Sequence, residues 1–195
     1  QMNTIEFHTW NAVKTTIGKP DRMTFDLDPG EGVKWSTMQE ATMLVRVMLD
    51  ELELPSFVKT SGGKGMHVVV PLKKLYDWDT VKDFSQAIVQ HLAHTLPQLF
   101  VAKSGPRNRV GKIFADYLRN GFGATTACAW TLRSRPGLGV SVPIAWDEVS
   151  RIDSGAHWKL SNIHGRLDQG NAPWEKFAAA ASSPRQAMEA LGFVP

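Results

Sequence analysis

Apolar and polar positions alternate loosely from Thr4 to Trp10, the period of a strand, and alternate again over residues 22–28. A helical period follows. Ala41, Leu44, Val45, Met48 and Leu52 share one face of a helix that Ser36 opens, with Gln39 as capping-box partner, and that ends before Pro55. Phe57 to Thr60 and Met66 to Val70 are β-rich runs on either side of Ser61-Gly-Gly-Lys-Gly65, which reads as strand, glycine-rich turn, strand. A second helix is capped by Thr80, buries Val81, Phe84, Ile88 and Leu92, and stops at Pro97. Residues 111–117 and 125–132 read as two further strands, and Pro, Gly and Ser make 134–143 a loop. A short helix with Ser183 as cap, Pro184 in its first turn and Gly192 as its stop ends the chain. Strands outnumber helices and hairpin-like turns join several of them. The expectation is an α+β fold with a largely antiparallel sheet flanked by helices.

Composition narrows the class. A chain of 195 residues can bury a sizeable core, as one domain or two small lobes, and 43% hydrophobic residues with seven tryptophans exclude a disordered protein. No apolar run approaches the length that spans a membrane. The single Cys128 excludes an internal disulfide and a cysteine zinc cluster and fits a reducing compartment; within its apolar run it reads as a small buried hydrophobe. His91 and His94 lack a nearby carboxylate pattern for zinc and read as surface or packing residues. Charge is unevenly spread. Between residues 103 and 135, Lys103, Arg107, Arg109, Lys112, Arg119, Arg133 and Arg135 face one acid, Asp116, a net +6 in a chain whose total is +3. The rest of the chain is therefore net acidic, and the basic segment points to phosphate or nucleic acid, or else to a solvated basic face.

Three motifs carry candidate chemistry. In the strand Met23-Thr-Phe-Asp26-Leu-Asp28-Pro-Gly30, alternation puts Asp26 and Asp28 on one face with Phe25 and Leu27 behind them. Two carboxylates so close resist joint ionisation, and a divalent cation with a taste for hard oxygen ligands, magnesium or manganese, removes that penalty. Asp-Pro-Gly is equally a turn signature. Ser61-Gly-Gly-Lys64-Gly-Met-His67 has the parts of a phosphate cradle: close-approaching backbone, a hydroxyl, a point charge and a further donor. It is not a Walker A loop, because Gly65 stands where Ser or Thr would hold magnesium, and a plain hairpin explains it too. Asp116, beside Arg119, is either a third carboxylate joining Asp26 and Asp28 or half of a local salt bridge.

Taken together, Asp26-Leu-Asp28, Ser61-Gly-Gly-Lys-Gly-Met-His67 and Phe114-Ala-Asp116-Tyr-Leu-Arg119-Asn120 resemble the archaeo-eukaryotic primase superfamily, and within it the polymerase domain of bacterial ATP-dependent DNA ligase D. Ile5-Glu-Phe-His8-Thr-Trp10-Asn11 and the stretch from Gly123 to Gly137 extend the resemblance over nearly the whole chain. It implies a primase-like catalytic core with an RRM-like sheet, spanning residues 1–195 as one domain. It implies that Asp26, Asp28 and Asp116 bind metal, that Ser61, Lys64 and His67 hold the nucleotide's triphosphate, that Arg119 and Arg133 lie around the incoming nucleotide, and that His8 lies near the same pocket. The family's domain carries a further segment ahead of Ile5, which grips the 5′-phosphate of the downstream strand and places an aromatic near the nucleobase. The present sequence begins after it, so a truncated domain is expected.

The implied activity is metal-dependent addition of ribo- or deoxynucleotides from nucleoside triphosphates to primer 3′ ends, filling gaps and extending broken ends in non-homologous end joining. Two manganese or magnesium ions are implied. One, held by all three acids, would lower the pKa of the primer 3′-hydroxyl; the other, held by Asp26 and Asp28, would bind the triphosphate and stabilise departing pyrophosphate. The implied partners are gapped or broken DNA, the Ku end-binding protein and a ligase module, in the bacterial cytoplasm at the nucleoid. Two other classes stay open on the residues alone. An RRM-like module that only binds nucleic acid would place stacking aromatics where this sheet carries paired acids. A two-metal nuclease would use the same carboxylates but has no triphosphate to hold.

Overall fold

The computed structural model describes residues 4–195. Its centre is a six-stranded sheet of β2 (Arg22–Pro29), β3 (Phe57–Thr60), β4 (Met66–Pro71), β5 (Phe100–Val101), β6 (Ile113–Asp116) and β8 (Pro143–Ile144), in the order β5-β6-β2-β4-β3-β8. Every pairing is antiparallel except β5 with β6. A separate ribbon pairs β1 (His8–Thr9) with β7 (Thr126–Ala127). The mixed α and β architecture with an antiparallel sheet agrees with the expectation from the sequence, and among the described residues the sheet does not close into a barrel.

Alternation along β2 decides the layering. Met23, Phe25 and Leu27 are essentially buried and meet Met38, Ala41, Val45 and Leu49 of α1 (Trp35–Glu51) and Val81, Phe84, Ile88 and Leu92 of α2 (Trp78–Thr95). Both long helices therefore cover one face, and the acids of β2 point from the other. On that second face, away from the acids, Phe57 meets Trp174 and Phe177, whose rings stack 5.1 Å apart, so its aromatics pack on one another. The tail returns to the helical side: α4 (Arg185–Ala190) buries Ala187 and Met188, and Phe193 packs on Phe84.

Several local expectations need correction. The α1 N-cap is Lys34, without a side-chain bond; Ser36 lies inside the helix, and the Gln39 amide donates to the carbonyls of Val149, Ser150 and Ile152. Tertiary acceptors outcompete the capping box there. The buried stripe of α1 centres on Met38, Ala41, Val45 and Leu49, leaving Leu44 half-buried at its flank. Asp77, not Thr80, caps α2: its Oδ1 accepts from the Thr80 N–H at 2.9 Å. Pro184 is the cap of α4, with the Arg185 N–H donating to the Ser183 hydroxyl oxygen. The strands expected over 4–10 and 125–132 shrink to β1 and β7, and beyond β7 the chain takes a positive φ of +67° at Trp130. The loop over 134–143 ends in an edge strand, where Pro143 costs the sheet no donor it needs. Cys128 is half-buried rather than buried.

Candidate active site

Register assembles the site. Asp26 stands directly opposite Asp116 on β6 and His67 on β4, and His67 stands opposite Lys59 on β3. Asp116, Asp26, His67 and Lys59 thus form one row across four adjacent strands on the face away from the helices. Asp28 lies two residues beyond Asp26 on the same face. One carboxylate oxygen from each of Asp26, Asp28 and Asp116 falls within 4.8 Å of the others, close enough for all three to hold one metal ion.

Like charges opposed across a sheet are destabilising, and this row is stabilised by cations. The Arg119 Nε lies 3.0 Å from Asp116 Oδ2 and 3.9 Å from Asp26 Oδ2, so the local salt bridge and the three-acid cluster coexist. Arg109 Nη1 lies 3.0 Å from Asp28 Oδ2. The Asp116 Oδ1 accepts from the Leu118 N–H at 2.9 Å, which tightens the turn after β6 (Leu118–Asn120) and aims Arg119 back at the acids.

The three acids titrate differently. Burial pushes Asp26 up, but the charge interaction and hydrogen bond with His67 and the charges of Arg119 and Lys59 outweigh it and hold Asp26 down to about 2. Asp28 is raised above its ordinary 3.8 by burial and by the charge of Asp26, against the pull of Arg109. Asp116 is raised as well, chiefly by burial, against Arg119. Ionised carboxylates held where ionisation is unfavourable are suited to a cation that replaces their protons. Burial lowers the pKa of His67, leaving a neutral ring whose Nε2 sits 3.3 Å from Asp26 Oδ1 and whose buried Nδ1 has no hydrogen-bond partner among the described residues.

A polar cavity of about 290 Å³ opens above this row. Asp26, Asp28, Ser61, Lys64, His67, Arg119 and Arg133 line it. Asp116 is buried beneath, reached through Arg119. His8 does not line the cavity; it is exposed on β1, where its Nε2 meets Glu6. The glycine-rich turn also differs from a plain cradle. The Ser61 hydroxyl oxygen accepts from the Gly63 and Gly65 N–H groups at 3.0 and 3.1 Å, so these amides close the turn instead of facing the cavity. Its outward donors are the exposed Lys64 ammonium and the Ser61 hydroxyl hydrogen. Gly62 has φ of +68°, and a Cβ there would sit 2.7 Å from Arg133 Cγ, so a side chain would displace the arginine that lies over the turn.

The sequence reading assigned no role to four further residues. Arg109 and Arg135 line the cavity and were visible only as part of the basic run. Glu6 and Lys59 gave no local signal, since their partners are distant in sequence. Lys59 is buried, with Nζ donating to the Ala127 carbonyl at 2.9 Å and the Ser141 hydroxyl at 2.6 Å. Burial lowers its pKa from 10.5 to about 7, with Asp26 working the other way. Across that interval the unfolded chain binds a proton that the folded chain does not, so stability rises with pH. Lys59→Met is expected to remove this rise. Urea unfolding over the interval should show the wild type gaining on the variant by up to about 1.4 kcal/mol per pH unit; parallel pH profiles would contradict the burial of this amine.

No helix among the described residues is long and apolar enough to cross a membrane. Residues 1–174 match the model of the LigD primase-polymerase domain family. The chain is 51% identical over 190 residues to the multifunctional non-homologous end joining protein LigD of Pseudomonas aeruginosa, covering 96% of this chain and 23% of that protein. It is 32% identical over 171 residues to its counterpart in Mycolicibacterium smegmatis, covering 87% of this chain and 22% of that protein. The chain thus spans about a quarter of the length of these curated relatives. Among solved structures, the polymerase domain of Mycobacterium tuberculosis ligase D in complex with DNA superposes with a TM-score of 0.74 at 30% identity, covering 84% of this chain and 57% of that one. With the family model matched over all but the final residues and half of the aligned positions shared with a LigD protein, this chain belongs to the LigD primase-polymerase domain family.

Proposed function

We propose that this chain is one catalytic domain that transfers a nucleotide from a nucleoside triphosphate to the 3′ end of a DNA primer, filling gaps and extending broken ends in double-strand break repair. The observation that carries the reading is the cluster of three carboxylates, two of them lining a cavity whose other charged walls are basic and the third buried beneath it. Asp26, Asp28 and Asp116 would hold manganese or magnesium. When bound, such ions lower the pKa of the attacking hydroxyl and offset charge on the triphosphate. Arg109 and Arg119 already balance these acids, so a cation competes with guanidinium groups for the same oxygens.

The remaining residues divide the work on the substrate. Lys64, Arg133 and Arg135 face the space above the acids and would take the triphosphate oxygens, with Ser61 donating its hydroxyl. Preorganised cations there stabilise charge that grows as the bond between the α- and β-phosphates breaks. His67 is neutral and its single N–H is directed from Nε2 at Asp26, so it would serve the site by orienting that carboxylate rather than as a fixed charge. The basic stretch from Lys103 to Lys112 would add salt-sensitive affinity for the DNA backbone. A Ku end-binding protein and attached ligase module, and a place in the bacterial cytoplasm at the nucleoid, belong to the same proposal.

Primer extension tests it: a labelled primer on gapped DNA, manganese, and either ATP or dATP, with Asp26→Ala as control. Lengthening by the wild type alone supports the reading and reports the sugar preference. Shortening of the strand would assign a nuclease instead. Metal-independent DNA binding, with no extension and no effect of Asp26→Ala, would leave a binding module.

A further inference from the structure

Arg133 is the arginine that leans over the glycine-rich turn, and its guanidinium is held on two sides. Its Nη1 donates to the Ser61 carbonyl at 2.7 Å, and its Nε donates to Glu6 Oε1 at 2.9 Å. The same Glu6 Oε1 lies 2.6 Å from His8 Nε2, and Glu6 Oε2 accepts from the Ser134 N–H at 2.7 Å. Three donors from two distant stretches of chain therefore converge on one carboxylate. Glu6 itself is not among the residues lining the cavity.

A carboxylate behind an anion-binding arginine lowers the net positive charge of the cavity, so attraction for phosphate does not explain it. Geometry does. The Arg133 side chain is only 12% exposed, and a guanidinium so placed is costly without a partner. Glu6 supplies the partner on the Nε edge, away from the cavity. The guanidinium then presents its unused Nη hydrogens in one fixed direction. The Nε2 of His8 must carry a hydrogen toward the carboxylate, which fixes that ring too. Burial works to raise the Glu6 pKa, and the bonds from His8, the Ser134 N–H and Arg133 outweigh it, so the group stays ionised across working pH.

We propose that Glu6 is a positioning residue for the incoming nucleotide: it touches no phosphate, but clamps Arg133 in the orientation that receives the triphosphate. The inference rests on the nucleotide site described under the proposed function. It predicts that Glu6 acts on nucleotide affinity through Arg133 and leaves the metal acids alone.

Calorimetric titration of the full 195-residue chain separates these possibilities, with manganese alone and with ATP in saturating manganese. Glu6→Ala should weaken ATP binding by about tenfold while manganese alone binds as in the wild type. Glu6→Gln, which keeps an acceptor for the Arg133 Nε–H, should recover part of that loss. In an Arg133→Ala background, Glu6→Ala should add little, because its route to the nucleotide is gone. Wild-type ATP affinity in Glu6→Ala, no recovery in Glu6→Gln, or a full additive loss in the double variant would overturn the inference while the nucleotide site stands. A wild-type chain that binds manganese but not ATP would overturn both.

Discussion

Asp28→Asn is expected to cut primer extension by about 10³-fold or more without lowering the melting temperature of the metal-free protein. The two effects have one cause. Asp28 lies among other carboxylates, and burial and the charge of Asp26 raise its pKa above the free value of 3.8. An acid whose folded pKa is raised opposes folding when ionised, and that cost disappears as pH falls through the folded value. At neutral pH the wild type therefore carries the cost. Asparagine keeps the volume and an oxygen for Arg109 but removes the charge. Manganese should raise the melting temperature of the wild type, more strongly as pH rises and protons leave Asp28 and Asp116. Asp28→Asn should lose most of that increment. Scanning calorimetry with and without manganese, beside extension assays, checks all three outcomes. An active variant, or one inactive because it melts early, would contradict the assignment.

Asn120→Ala is expected to destabilise the protein by about 3 kcal/mol, which for a chain of this size is about 6–12 °C in melting temperature. The β2–β6 pairing begins at Asp26 opposite Asp116, so nothing on β6 reaches Thr24. The Asn120 side chain takes the place of a strand residue: its Oδ1 accepts from the Thr24 N–H at 2.7 Å, and its Nδ2 donates to the Thr24 carbonyl at 2.9 Å. Asn11 Nδ2 also donates to that Oδ1 at 3.0 Å. Asn120 and Thr24 are both essentially buried. Alanine would leave a buried backbone donor and acceptor without their protein partners. The damage should reach the site, because the Asn120 turn also carries Arg119. Denaturant unfolding would show a lower midpoint at unchanged slope; a loss under 1 kcal/mol would mean that water replaces the amide.

Asn120 illustrates what a sequence reveals and withholds. It stands in the motif Phe114 to Asn120 that carries the family resemblance, yet nothing local says that its amide completes a strand edge. Asp26 and Asp28 were legible as a pair because strand alternation is a property of the backbone itself. The α2 stripe was legible for the same reason, at the helical period. The caps of both long helices were misread because partners beyond the local pattern decide them: Gln39 finds carbonyls in residues 149–152, and the Asp77 carboxylate, three residues ahead, takes the Thr80 N–H. Glu6 and Lys59 were invisible because their meaning lies wholly in their partners.

By itself the sequence determined the periods of β2, β3, β4 and α2, the position of the glycine-rich turn, the candidate acids, and the family. These follow from steric rules that act within a few residues and from motifs read in order. Only the tertiary structure decided that Asp116 stands opposite Asp26, that the arginines answer the acids, that Ser61 closes its own turn, and that Glu6 reaches Arg133 across 127 residues of chain. Strand register is set by hydrogen bonds and burial shared between distant segments, and no residue carries that information alone.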